Sequence, residues 1–267
     1  METESVWLGS FRQPVRFLAY GLCALAALVF LWLVANRAMS EDALGVHEMI
    51  RPEGRPIVWA MLLSLGGAVL FTSLHLSDRK GAIEEEPSGF FDIVSLVTSR
   101  IAMIMTALIV VVMFYEVVSR YVFARPTLWA NELSLWIASF VFLFAGQYAM
   151  QQRSHIRIYV IYDMMPRWMQ KASDVLSLVL IWAFTFGLVW GAYDDAKRRF
   201  LRMETFGTAW DPPIPGIVKP AILIIICLVA LQALSNLIAD WNKAPEHHSH
   251  DEIDEAEIEN IRKALEK

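Results

Sequence analysis

The residues of this chain best placed for chemistry are charged groups at the borders of apolar stretches. Arg120, Glu132, His155, Arg157 and Asp163 all fall within residues 118–166, a region otherwise rich in Val, Leu, Phe and Ile. A charged side chain beside hydrocarbon is costly unless water, a lipid headgroup or a partner meets it. Groups in such positions suit docking, headgroup anchoring or ion passage. Catalysis asks for more: a nucleophile with its base, paired carboxylates in a cleft, or a metal constellation. The sequence contains no HExxH, GxSxG, CxxC or phosphate-binding glycine loop. No catalytic residue is expected.

The histidines were weighed as ligands. His247, His248 and His250 cluster in the tail, and a histidine-rich tract can bind metal. No nearby Cys or second His group completes a site, so a solvated linker is the favoured reading. A membrane haem needs axial histidines at matched depth in facing helices. His75 falls at a helix end, and His47 and His155 fall in loops. Cys23 and Cys227 lie inside apolar segments and read as small buried or lipid-facing residues, not as a disulfide or zinc site. No cofactor and no nucleic-acid partner is expected.

The elements that position these residues follow from composition. The chain has 267 residues, 56% of them hydrophobic, with a mean hydropathy of +0.43. About 20 predominantly apolar residues cross the roughly 30 Å hydrocarbon core as a helix. Six segments qualify: 15–35, 57–76, 93–118, 133–150, 175–193 and 217–239. The fold class is therefore all-α, a polytopic helical membrane protein. The first segment is too long for a signal-peptide core and lacks a good cleavage site, so it reads as a span. The net charge of −5 says little about partners, because the acidic excess lies mostly at residues 84–86 and in the tail.

A polar run at 77–89 divides the chain. Residues 1–89 form a two-helix extension, 90–242 a four-helix membrane domain, and 243–267 a polar tail. Ser249 and Glu252 have capping-box spacing, which predicts a short amphipathic surface helix in that tail. Within the third span, Glu116 and Arg120 stand four apart with the acid first, the favoured order for a helical ion pair; two independent interfacial charges is the alternative. Prolines 212, 213, 215 and 220 predict a structured loop over 200–220, with Trp210 as an interfacial anchor and Pro215 near the start of the last helix. Gly66, Gly67, Gly146 and Gly187 read as close helix-packing positions. The chain shows no internal repeat, no matched pair of interrupted helices and no mid-span carboxylate, which argues against the substrate-translocating subunit of a transporter. With both termini cytoplasmic, Arg153, Arg157, Arg167 and Lys171 lie inside. Lys197, Arg198, Arg199 and Arg202 then lie on the other side, so charge favours this orientation only slightly.

Arg120 and Tyr121 close one helix; Pro126, Trp129 and Glu132 lead into the next. Gly146 and the run Arg153, His155, Ile156, Arg157 follow, then Asp163 and Pro166. This order and spacing resemble the DctQ-type small membrane subunit of tripartite ATP-independent periplasmic (TRAP) transporters, in a larger variant with two extra N-terminal helices. Two departures stand out. Many relatives carry an acid two positions after the motif arginine, where this chain has Tyr159, and the region before Gly89 lies outside the four-helix core. The resemblance implies a non-enzymatic scaffold in a bacterial inner membrane. Its partners would be a large permease subunit that carries substrate and sodium, an extracytoplasmic binding protein that delivers an organic acid or similar solute, and membrane lipid. It also implies structural or docking roles for Arg120, Tyr121, Pro126, Trp129, Glu132, Gly146 and Arg153. Arg120 and Glu132 are expected to join through a charge-assisted hydrogen bond, or else to meet headgroups or water separately. His155, Arg157 and Asp163 are expected to position lipid headgroups or the large subunit. A membrane anchor or regulatory protein with a different partner is the alternative; an autonomous small transporter is disfavoured.

Overall fold

The computed structural model describes residues 5–40, 43–50, 53–79, 87, 89–153, 162 and 165–242. Among them, six helices are long and apolar enough to cross a membrane. They are α1 (Arg12–Met39), α2 (Pro56–Ser77), α3 (Phe90–Tyr121), α4 (Ala130–Gln151), α5 (Arg167–Leu201) and α6 (Ile214–Asp240). The chain is thus a polytopic, all-helical membrane protein. A 3-10 turn, Gly9–Phe11, leads into α1, and a single helical turn, Val46–Met49, interrupts the loop that joins α1 to α2.

Local chemistry sets the helix ends. Pro56 opens α2, and Pro215 lies in the first turn of α6, where the missing N–H has no intrahelical acceptor to lose. Pro166 stands in extended conformation just before α5. Arg153 and Met203 adopt left-handed φ values of 53° and 45° and so end α4 and α5. At 35 residues, α5 is about 52 Å long at 1.5 Å per residue, well beyond the hydrocarbon thickness. Its surplus length carries Arg167, Lys171 and Asp174 at one end and residues 194–199 at the other.

Consecutive helices form three antiparallel hairpins: α1 with α2, α3 with α4, and α5 with α6. The hairpins join where α2 packs on α3 and where α4 packs on α6. The main neighbour of α5 is α6, which places α5 on the outside of the bundle. In lipid the hydrophobic effect does not press helices together, so packing and interhelical hydrogen bonds must do so. Gly67 shows the packing: a Cβ there would sit 3.0 Å from Leu22 Cδ1. Gly66, Gly146 and Gly187 differ, for a Cβ at each would meet nothing within 4 Å. Of the four glycines read as packing positions, Gly67 alone meets another helix among the described residues; Gly66, Gly146 and Gly187 are exposed.

Candidate partner-docking site

At one edge of the bundle, the α3–α4 loop closes over Glu116. This carboxylate is only 3% exposed and accepts hydrogen bonds from Arg120 Nε at 2.9 Å and Nη2 at 2.5 Å. Its other oxygen accepts from the backbone N–H of Thr127 at 3.0 Å and from the Thr127 hydroxyl. One buried acid therefore ties the end of α3 to the approach of α4. Tyr115 stacks on Trp129, with ring centroids 5.7 Å apart, and reinforces the same hairpin.

Arg120 therefore pairs with Glu116 on its own helix, and the hydrogen bond expected between Arg120 and Glu132 is not formed. An i, i+4 pair needs no loop to bring its members together. Glu132 stands in the first turn of α4, where a carboxylate suits the helix dipole. Its Oε2 is enclosed and has no hydrogen-bond partner among the described residues. Tyr121 and Pro126 are exposed, Trp129 is half-buried, and Gly146 lies open on the surface of α4.

The opposite edge carries a ladder of polar contacts among α3, α4 and α6. Arg153 grips Asp240 through two hydrogen bonds, Nε to Oδ2 at 2.5 Å and Nη2 to Oδ1 at 2.9 Å. One turn inward, Asn236 Nδ2 donates to the Met150 carbonyl at 2.7 Å, which also accepts from the Arg153 N–H at 3.2 Å. Deeper still, Gln232 Nε2 donates to Asp92 Oδ1 at 2.6 Å and to Asn236 Oδ1 at 2.9 Å. The Ser95 hydroxyl donates to the Gln147 carbonyl at 3.3 Å. Gln147, Gln151 and Gln232 are fully or almost fully buried. The left-handed turn at Arg153 both ends α4 and aims its side chain at α6.

A third cluster braces the α5–α6 connection. Asp195 accepts from Arg199 Nε at 2.9 Å and Lys219 Nζ at 2.7 Å, while Arg199 also pairs with Glu204. The Gly216 N–H donates to the Glu204 carbonyl at 3.1 Å. The loop is structured, as the prolines predict, and Pro215 lies at the start of α6. Trp210 departs from expectation. It is 4% exposed, so its ring is buried and does not face outward as an interfacial anchor would.

At the N-terminus, Asp78 just beyond α2 receives a wrap of donors. Its Oδ1 accepts from the N–H groups of Val6, Trp7 and Leu8 at 2.9–3.0 Å, and the Ser5 hydroxyl reaches both oxygens. Arg12 Nε lies 3.3 Å from Oδ2. Successive N–H groups on one anion form a nest. Burial pushes the Asp78 pKa up, but the N–H groups of Leu8 and Trp7, the Ser5 hydroxyl and the Arg12 charge outweigh it. The net effect holds this carboxyl below the ordinary aspartate value.

His155, Arg157 and Asp163, with Tyr159, lie outside the described residues, as do the tail histidines and the predicted tail helix. Among the described residues, no group of three His, Cys, Asp or Glu side chains could hold a metal ion. Sequence reasoning missed Asp78, Asp92, Gln232, Asn236 and Asp240. The available signal was the presence of Gln147, Gln151, Gln232 and Asn236 in apolar helices, since such side chains hydrogen-bond across helices.

A family model described as Tripartite ATP-independent periplasmic transporters, DctQ component, matches residues 109–243. The match runs from within α3 to just past the end of α6 and covers slightly more than half of the chain. No curated protein matches it.

Proposed function

The chain belongs to the DctQ component family of tripartite ATP-independent periplasmic transporters, and from that premise we propose that it is a static scaffold for the large permease in sodium-coupled uptake of an organic acid or related solute. The coarser identity stands on the family and the six helices: a multi-pass inner-membrane protein, the small subunit of such a transporter and a component of a transport system, not an enzyme. The observation that carries the scaffold role is the ladder among α3, α4 and α6. Its Arg153, Asn236 and Gln232 donors tie α6 to α3 and α4, an arrangement that favours a fixed bundle over one that rearranges each cycle.

In this reading residues 90–242 are the family core, 1–89 an added hairpin and 243–267 a tail, with both termini cytoplasmic. The large permease carries substrate and sodium, and a solute-binding protein delivers the solute. Docking falls to the groups that the fold leaves available. Glu132 has a carboxylate oxygen without a partner among the described residues, and Tyr121, Pro126 and Gly146 are exposed. Trp129 supports them, Arg120 and Arg153 hold the ends of the core, and His155, Arg157 and Asp163 are assigned to positioning lipid headgroups or the large subunit.

Copurification in mild detergent tests the proposal. A large polytopic permease should be recovered with the wild-type chain, and Glu132→Gln should weaken that recovery while leaving the isolated chain folded. Solute uptake by this chain alone in liposomes would overturn it.

A further inference from the structure

We propose that the cleft where the α3–α4 loop folds back over the end of α3 holds the headgroup of an anionic phospholipid, with Arg125 on its phosphate. The cleft encloses ≈ 490 Å³ and is lined by Tyr115, Val118, Ser119, Phe123 and Arg125. Its lining combines a cationic residue, Arg125, with the apolar Val118 and Phe123.

The Arg125 side chain has no hydrogen bond or ion pair among the described residues, because the buried acid of this hairpin is already engaged. Glu116 spends its two oxygens on Arg120 and Thr127. A guanidinium binds phosphate oxygens through paired N–H donors, and here it lies at the end of a membrane-spanning helix.

The site is braced before any ligand arrives. The Arg125 N–H donates to the Ser119 carbonyl at 2.9 Å, and the Ser119 hydroxyl donates to the Arg125 carbonyl at 2.5 Å. Ala124 takes a left-handed φ of 52° to make the turn. The end of a helix ordinarily repels anions through its free carbonyls. Here the Val118 carbonyl accepts from the N–H groups of Val122 and Phe123, and the Ser119 carbonyl from Arg125. Two of the last four carbonyls of this helix are therefore already engaged.

The apolar wall selects a lipid over a free anion. Phe123 is 67% exposed, and Val122 and Tyr121 beside it are also open. Inorganic phosphate gains nothing from these groups, whereas the glycerol and first acyl carbons of a phospholipid cover them.

The test uses the full chain in nanodiscs of phosphatidylethanolamine with phosphatidylglycerol, and native mass spectrometry counts the phosphatidylglycerol kept after release. One charge at a lipid surface corresponds to about a fivefold change in occupancy. Arg125→Gln is expected to lower retention by about that factor, and Arg125→Lys by less. Val118→Trp fills the apolar wall, keeps the charge, and should also lose the lipid. Millimolar inorganic phosphate should displace nothing. Equal retention by Arg125→Gln and wild type overturns the proposal. So does displacement by phosphate, which marks a free-anion site, or full retention by Val118→Trp, which marks recruitment by charge without a cleft.

Discussion

Replacing Gln232 with Leu tests whether the polar ladder holds the core together. The substitution keeps side-chain volume nearly constant, so packing changes little. It removes the Nε2 that donates to Asp92 Oδ1 at 2.6 Å and to Asn236 Oδ1 at 2.9 Å. Interhelical hydrogen bonds in membrane bundles average about 0.6 kcal/mol and reach about 1.7 kcal/mol. A buried bond to a carboxylate belongs near the upper figure, and the bond along α6 near the lower. Asp92 makes a further interaction, so its charge is weakened and not stripped of partners. The sum is about 2 kcal/mol, or roughly a thirtyfold shift in the folding equilibrium. The assay is reversible unfolding by SDS titration of the detergent-solubilised chain. Asp92→Leu alone should cost a comparable amount, because it leaves the buried Gln232 amide with only the Asn236 oxygen as acceptor. The double variant should cost clearly less than the two singles together, by about 1 kcal/mol, since contacting partners couple. A Gln232→Leu variant within about 0.3 kcal/mol of wild type, or strictly additive singles, would refute the assignment of this contact as an interhelical tie.

The Asp78 nest should respond to acid. Its folded pKa lies below the ordinary aspartate value of about 3.9, so its contribution is complete above that value and is lost as pH falls through the depressed one. Protection of the Val6, Trp7 and Leu8 amides, taken relative to intrinsic exchange at each pH, should therefore fall on acidification below about pH 4, whereas Asp78→Asn should lower it already at neutral pH with little further change. Gly216→Ala should destabilise the α5–α6 loop by about 1–3 kcal/mol, because a Cβ there would meet backbone atoms, Glu204 N at 2.9 Å and Arg199 O at 3.2 Å; thermal unfolding in detergent measures this. Gly146→Ala meets nothing within 4 Å and should leave the isolated chain as stable or slightly more so, so any loss it causes in permease copurification would locate a partner helix on that face.

The spans were legible because lipid requires long apolar runs, and 93–118 or 217–239 can hardly be read otherwise. The Glu116–Arg120 pair was legible for a similar reason, since helical spacing alone brings the two residues together. What a linear reading cannot supply is the partner across space. Arg153 and Asp240 are 87 positions apart, and Gln232 and Asp92 are 140 apart, so no local pattern joins them. Asp92 also stands one residue before the apolar run, where it looks like an ordinary interfacial charge. Of the two acids the sequence offered to Arg120, the one a turn away on the same helix takes it, because helical spacing needs no loop to bring the pair together. Trp210 was misread because its residue type fits a lipid interface, while its burial depends on tertiary folding that a local pattern does not carry. The glycines were misread for lack of any signal telling an inward helix face from an outward one.

The ladder has a mechanical consequence. Met150 with Asn236 and Arg153 with Asp240 stand 86 and 87 positions apart, so α4 and α6 run parallel in nearly fixed register. Sliding one helix past the other by a turn, about 5.4 Å, would break both rungs in a single step. Intermediate shifts would lose hydrogen bonds without forming new ones. The pair therefore resists shear in an all-or-none manner. A push from a neighbouring subunit at one membrane edge would arrive at the other edge as displacement of the whole core.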